Sequence, residues 1–132
     1  MIKNPARLYT AVSGIFLLLQ GTSTLTFRLF PPLDQAFPAW LATTQMILIH
    51  STLHIITGLL AVAILYRGRE HEAFWFAAGF GLFYLMLGLT GVLSGHHLGL
   101  GLQPFDHPIH LVLGVVGLFA AYLSFFIRKA SA

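Results

Sequence analysis

The sequence contains very few charged residues and no cysteine. Only 8% of its 132 residues are Asp, Glu, Lys or Arg, whereas 57% are apolar and the mean hydropathy is +0.82. So little polar surface excludes a water-soluble globular protein, and an aromatic content of 14% excludes a disordered chain. The lack of cysteine excludes disulfides, Cys-ligated zinc and iron–sulfur clusters, so any metal chemistry falls to the seven histidines. The composition predicts an integral membrane protein.

Four apolar segments are long enough to cross a membrane, because a hydrocarbon core of about 30 Å requires roughly 20 apolar residues in a helix. They are residues 8–27, 41–66, 73–94 and 108–127, and none of them contains a charged side chain. Asn4 followed by Pro5 predicts the N-cap and first turn of the first helix, and Pro38 precedes the second. Asp106 with Pro108 opens the fourth. The sequence therefore predicts an all-α membrane protein, a four-transmembrane-helix bundle in one membrane domain.

The basic residues predict the orientation of this bundle. Arg28 lies on one side of a four-span threading, and the other six lie on the opposite side: Lys3, Arg7, Arg67, Arg69, Arg128 and Lys129. The positive-inside rule then places both termini in the cytoplasm, in a multi-pass protein of an inner (cytoplasmic or internal) membrane. No basic patch with interleaved aromatic residues occurs away from the span ends, so nucleic-acid binding is not expected.

The two halves of the chain have similar patterns. Residues 14–21 in the first span resemble residues 81–88 in the third, with glycine at both ends of each segment. Residues 53–58 in the second span resemble residues 109–114 in the fourth, and both contain His-x-x-x-Gly. The sequence therefore predicts two repeated helical hairpins, related by an axis along the membrane normal.

Three histidines lie inside the predicted spans, where an ionisable side chain costs a few kcal/mol and marks a functional candidate. At 1.5 Å per residue, His50 lies about 25 Å from Arg67 along its helix, and His110 lies about 27 Å from Arg128. The two imidazoles are therefore expected at one level, in the outer half of the membrane. His54 is one turn deeper, on the same helix face as His50. We expect all three imidazoles to converge in the interior of the bundle.

Converging imidazoles suggest two kinds of bound group. A haem or chlorophyll-type pigment, or a single divalent metal ion, could be held between His50 or His54 on one side and His110 on the other. Gly58 and Gly114, each one turn beyond a histidine, would clear room for a ring. The alternative is a hydrogen-bonded cluster that only fixes helix register, in which the three histidines bond to Gln20, Thr24 and Tyr84.

A second group of possible ligands lies in the predicted outer loop. His96, His97, Asp106 and His107 are nitrogen and oxygen donors of the kind that bind zinc or copper. The alternative is an exposed polar loop in which Asp106 only caps the fourth helix.

Eight residues spread over nearly the whole chain carry a resemblance to a known family: Asn4, Pro5, His50, His54, Gly58, Asp106, His110 and Gly114. Together with the duplicated hairpin, they resemble an uncharacterised family of small four-helix bacterial integral membrane proteins, a domain of unknown function. The resemblance implies the four-helix fold. It implies no particular activity, substrate or cofactor.

The function predicted from these features is that of a non-catalytic accessory or binding subunit of a larger membrane complex. The sequence has no nucleophile–base pair, no phosphate-binding loop and no carboxylate within the spans. Twelve phenylalanines supply apolar outer faces for lipid, pigment or partner helices. The expected partners are the lipid bilayer and either other membrane protein subunits or a second copy of the chain. The alternatives are a redox or metal-handling protein with a His-coordinated metal, and a component of an oligomeric transporter.

Overall fold

A computed structural model describes residues 4–37, 46–95 and 99–130, and within these ranges the regular structure is entirely helical. The helices are α1 (Pro5–Leu29), α2 (Pro31–Ala36), α3 (Leu48–Arg67), α4 (Glu70–Ser94) and α5 (Asp106–Ala130). All except the short α2 are long and apolar enough to span a membrane. The predicted all-α protein with four candidate membrane spans is therefore confirmed.

The start of α1 is capped as the sequence predicts. The Asn4 side-chain oxygen accepts hydrogen bonds from the backbone N–H groups of Ala6 and Arg7, at 3.0 and 3.4 Å, and Pro5 occupies the first turn. A second cap for α1 is a hydroxyl group of α5. Ser124 Oγ accepts from the Ala6 N–H at 2.9 Å and donates to Asn4 Oδ1 at 2.8 Å. The first turn of α1 is thereby tied to the last turns of α5.

The predicted start of the second span at residue 41 is wrong for the residues that the structure describes. Met46 and Ile47 are not helical, Ile47 has an extended backbone, and α3 begins at Leu48. The apolar side chain of Met46 is buried beside α1, and its carbonyl oxygen accepts a hydrogen bond from the Arg28 guanidinium. An apolar pattern alone does not distinguish such a packed extended segment from a helical turn. Pro38 and residues 41–45 lie outside the described ranges.

The other helices are longer than predicted. The first span is predicted at residues 8–27 and extends over Pro5–Leu29, and α5 extends beyond the predicted residues 108–127 at both ends. The third predicted span, α4, begins at Glu70 instead of residue 73, because carboxylates in a first turn interact favourably with the helix dipole.

The four long helices form a bundle of two antiparallel pairs. α1 packs along α3, and α4 packs along α5, whereas α1 also contacts both α4 and α5. α3 meets α4 over a short stretch only. We call the end that holds the first turns of α1 and α4 the terminal end, and the other the distal end. The helix contacts described above place α3 and α5 diagonally across the bundle.

Glycines bring the paired helices into close contact. A Cβ atom added to Gly14 would lie 2.6 Å from the Cβ of Ala61, and one added to Gly81 would lie 2.7 Å from the backbone nitrogen of Leu118. In membranes, where the hydrophobic effect does not drive helices together, small residues allow this close van der Waals packing. Most large apolar side chains instead lie exposed on the outer faces of the bundle.

The interior has one half built around aromatic and alanine side chains and one half rich in ionisable side chains, which we call the polar half. At the terminal end, Tyr9 and Phe76 pack with alanines of all four long helices. In the distal half, the buried side chains include Asp106 and four histidines, which are His50, His54, His107 and His110. This polar half contains the candidate site.

Candidate binding site among the buried histidines

Four rings from three helices meet in the distal half of the bundle. The first turns of α3 place His50 and His54 one helical turn apart, with ring centroids 4.4 Å from each other. His110 of α5 lies across the bundle, with its ring centroid 6.5 Å from that of His50. Tyr84 of α4 lies between them, 4.9 Å from the His110 ring. We call His50, His54, Tyr84 and His110 the ring cluster.

The convergence expected from the sequence is therefore observed, and the rings face inward. The three imidazoles are 3–5% exposed, and Tyr84 is 4% exposed. The Tyr84 hydroxyl and His54 Nε2 are 3.3 Å apart, which is a hydrogen bond whose donor depends on the histidine tautomer.

The ring cluster does not satisfy its own hydrogen bonds. In the part of the chain that the structure describes, no partner is found for Nδ1 of His50, His54 and His110, or for Oε1 of Gln20. A buried polar atom without a partner costs about 1–3 kcal/mol. The predicted cluster in which these residues all bond to one another is thus formed only in part, through the Tyr84–His54 contact.

Thr24 does not belong to the ring cluster. Its hydroxyl lies 2.9 Å from the hydroxyl of Ser51 and 2.8 Å from the carbonyl oxygen of Gln20, and all of these atoms lie at the contact of α1 with α3. Ser51 is not singled out by the sequence pattern. A lone serine in an apolar span resembles any other small packing residue, so its partner can be identified only from the tertiary structure.

A small cavity lies between the rings. Its volume is about 10 Å³, which is close to the minimum for one water molecule. Its wall combines the ring cluster with polar and apolar side chains of α1 and α5: Phe16, Gln20, Asp106, Ile109 and Leu113.

A larger opening, which we call the lateral cleft, lies between α3 and α4. Its volume is about 140 Å³. It is lined by His50, Leu53, His54, Thr57, Phe80, Phe83, Tyr84, Leu87 and Leu100. The apolar wall residues are not predicted from the sequence as part of a site, although Phe80, Tyr84 and Leu87 recur at the spacing of one helix face.

A tetrapyrrole does not fit this arrangement. Pockets for ligands of that size have volumes of roughly 300–1,000 Å³, far above the volumes of the small cavity and the lateral cleft. Two glycines were expected to clear room for a ring, but neighbouring side-chain and backbone atoms fill the space beside them. A Cβ on Gly58 would lie 2.5 Å from Leu18 Cγ, and one on Gly114 would lie 2.4 Å from the backbone nitrogen of Leu85.

The second predicted ligand group is divided between described and undescribed residues. His96 and His97 lie outside the described ranges. Asp106 and His107 are buried in the first turn of α5 instead of lying in an exposed loop. Asp106 Oδ2 accepts a hydrogen bond from the Gln103 N–H at 2.7 Å, and its own N–H donates to the Gln103 carbonyl at 2.9 Å. These two bonds tie Asp106, the first residue of α5, to the turn that precedes the helix, and the predicted N-cap role of Asp106 stays a prediction.

The geometry of a metal centre is not found among the described residues. Within residues 4–37, 46–95 and 99–130, no group of three or more His, Asp or Glu side chains is arranged to hold a metal ion. The predicted metal site at His96, His97, Asp106 and His107 stays a prediction, because half of it lies outside these ranges.

Comparison of the chain with protein families, curated proteins and solved structures finds no match. The resemblance to a family of small four-helix bacterial membrane proteins therefore stays an expectation that rests on the residues alone.

Proposed function

We propose that this chain is a small non-catalytic binding protein of the membrane, an accessory subunit of a larger complex, whose ligand contacts the ring cluster. The observation that carries this proposal is the set of buried Nδ1 atoms without partners on His50, His54 and His110. If these residues served packing alone, apolar side chains would avoid the cost of about 1–3 kcal/mol for each unpaired atom. A ligand that bonds to the imidazoles offsets that cost on binding.

The route to the ring cluster supports a ligand that comes from the bilayer. The lateral cleft reaches His50, His54 and Tyr84 from the side of the bundle, between α3 and α4. The large apolar side chains at its mouth, Leu53 and Phe83, are exposed on the outer surface. In a membrane, this surface is in contact with lipid tails.

The proposed setting is an inner membrane, with both termini in the cytoplasm. The positive-inside rule supports this orientation, since the terminal end carries most of the described basic residues. These are Arg7, Arg67, Arg69, Arg128 and Lys129, whereas Arg28 lies at the distal end.

The accessory role rests on the outer surface of the bundle. An apolar groove of about 440 Å³ lies between α1 and α5, and its wall includes Val12, Phe16 and Val112. Lipid tails cover such a surface, and so does an apolar helix of another subunit or of a second copy of this chain.

Equivalent helix contacts support the proposed duplication of the hairpin. A Cβ on Gly14 would lie 3.7 Å from the carbonyl oxygen of Gly58, and one on Gly81 would lie 3.1 Å from the carbonyl oxygen of Gly114. These are the glycines that correspond in the two halves of the sequence. The α1–α3 pair and the α4–α5 pair therefore cross at matching positions.

The proposal is tested by identifying what copurifies with the protein. The untagged chain is purified in native-lipid nanodiscs, and its small molecules and metals are quantified by mass spectrometry and elemental analysis. We expect one ligand per chain, lost in His54→Phe and retained in His71→Phe, because His71 lies exposed in the first turn of α4. A chain that holds no ligand or metal, or one that loses its ligand equally in both variants, contradicts the proposal. Cross-linking in native membranes tests the accessory role, and a chain found only as a monomer contradicts that part.

A further inference from the structure

The lateral cleft has the size of a single six-membered ring. An apolar cavity of about 150 Å³ inside a protein is known to hold benzene, and the lateral cleft measures about 140 Å³. Fused or macrocyclic ring systems are larger than this space. Because the cleft opens beside the exposed Leu53 and Phe83, a chain attached to the ring could extend outward into the bilayer.

The chemistry of the cleft favours a neutral ring that carries oxygen atoms. None of its lining residues is Asp, Glu, Lys or Arg, so a charged ligand would be left unpaired. Its polar groups are the imidazoles of His50 and His54 and the hydroxyls of Thr57 and Tyr84. Phe80 and Phe83 supply flat aromatic surfaces, on which a planar ring stacks favourably.

The Tyr84–His54 pair is able to bond to either a carbonyl or a hydroxyl group. When the Tyr84 hydroxyl donates to Nε2, the neutral His54 ring carries its proton on Nδ1, which is a donor for a carbonyl oxygen. When Nε2 donates to Tyr84, Nδ1 becomes an acceptor for a hydroxyl group, and the Tyr84 hydroxyl becomes a donor. In both tautomers, Nδ1 has no partner among the described residues.

We infer that the lateral cleft binds the head ring of a prenylated benzoquinone or of its quinol, with the ring oxygens at Tyr84 and His54 and the isoprenoid tail in the bilayer. The ring volume, the neutral lining, the paired donor and acceptor groups and the opening toward lipid all match this class of molecule. The inference rests on the proposed binding function and names the class of ligand. It involves binding alone, with no transfer of electrons or protons.

The apolar groove between α1 and α5 provides an internal control. Under the proposed duplication, Phe16 corresponds to Phe83 and Ile109 corresponds to Leu53, and both pairs line the two openings. The groove lacks the equivalent polar groups, because Leu113 stands at the position of Thr57. The hydroxyl of Ser13, which also lines the groove, already donates to the Tyr9 carbonyl oxygen at 2.7 Å, so the groove offers similar walls in which this hydroxyl is engaged elsewhere.

The experiment measures binding of three probes to the full chain in nanodiscs, after subtraction of binding to empty nanodiscs. The first probe is 2,3-dimethyl-1,4-benzoquinone with a decyl tail. The second is decylbenzene, which has the same tail and ring size but no oxygen. The third is a 1,4-naphthoquinone with the same tail. We expect saturable binding of one benzoquinone per chain, with decylbenzene and the naphthoquinone binding at least about tenfold more weakly, since each loses hydrogen bonds or exceeds the ring-sized space.

Three variants locate the binding. Leu53→Trp fills the mouth of the lateral cleft and should abolish binding. Val112→Trp fills the apolar groove at a residue that lines neither the lateral cleft nor the small cavity, and it should leave the dissociation constant unchanged. Tyr84→Phe keeps the ring but removes the hydroxyl, so it should weaken benzoquinone binding by roughly 5–10-fold and leave decylbenzene unaffected. Helical content measured by circular dichroism verifies that each variant is folded.

The outcomes separate this inference from the proposed function. Equal binding of decylbenzene and the benzoquinone overturns the inference, as does equal loss of binding in Leu53→Trp and Val112→Trp, or no saturable quinone binding at all. If the quinone does not bind but another lipid or a metal copurifies in a manner that depends on His54, only the quinone inference fails. If His54→Phe changes no bound molecule, the proposed function fails as well.

Discussion

The contact between α4 and α5 at Gly114 predicts a large effect from a single added methyl group. A Cβ atom at this position would lie 2.4 Å from the backbone nitrogen and 2.6 Å from the Cα of Leu85. Ordinary van der Waals contacts begin at 3.4 Å. Gly114→Ala therefore requires the two helices to separate by about 1 Å (3.4 − 2.4). A gap of that size removes a quarter to a half of the dispersion energy between facing atoms. Because the opposing atoms are backbone, no change of rotamer relieves the overlap. We expect the free energy of unfolding to fall by about 1–3 kcal/mol.

A second glycine of the same bundle serves as the control. Gly79 lies exposed on α4, and a Cβ there would meet no atom within 4 Å. Alanine is favoured over glycine in a helix by about 0.5–1 kcal/mol, so Gly79→Ala should leave the protein equally stable or stabilise it. The free energy of unfolding is measured by steric trapping in bicelles. If the two variants differ by less than about 0.5 kcal/mol, the close α4–α5 contact does not limit stability, and the packing argument is refuted.

Other predictions concern hydrogen bonds and orientation. Ser124→Ala removes the hydroxyl that bonds to the start of α1 and should lower the free energy of unfolding by about 1 kcal/mol; an unchanged value would mean that this tie contributes nothing. Thr24→Val breaks a buried bond to α3 and should destabilise the bundle by about 0.6–1.7 kcal/mol, whereas Thr52→Val, at an exposed site, should cost less. Since the sequence has no cysteine, Ala130→Cys and Gln35→Cys each give one labelling site. A membrane-impermeant maleimide should label Gln35→Cys in intact cells and leave Ala130→Cys unlabelled, and the reverse result would invert the proposed orientation.

The position of the histidines could be predicted because it follows from helix geometry and charge. Span length and the basic residues at one end set the level of His50 and His110, and a spacing of four residues places His54 on the same face as His50. In the structure, the His50 ring centroid lies 4.4 Å from that of His54 and 6.5 Å from that of His110, which agrees with that expectation. The expectation of space for a large ring between them was wrong, since Tyr84 and the packed helices fill that region.

The atoms that contact each glycine and the location of the clefts could not be predicted from the sequence. The sequence predicts that Gly58 and Gly114 clear room for a ring, but the space beside them is filled by Leu18 and Leu85. The lateral cleft exists because α3 and α4 meet over a short stretch only. Such a gap depends on how two hairpins lean against each other, which no local pattern encodes.

The sequence by itself determined that this protein suits a lipid bilayer instead of water. It also determined the number of long helices and the level at which the histidines lie. These properties follow from composition, from the length of apolar runs and from the fixed rise of a helix, which are local quantities. Only the tertiary structure decided which polar atoms find partners, which glycines are filled by neighbouring helices and where a ring-sized opening remains. These properties depend on the relative positions of helices that are distant in the chain, and at close packing a shift of about 1 Å is enough to change them.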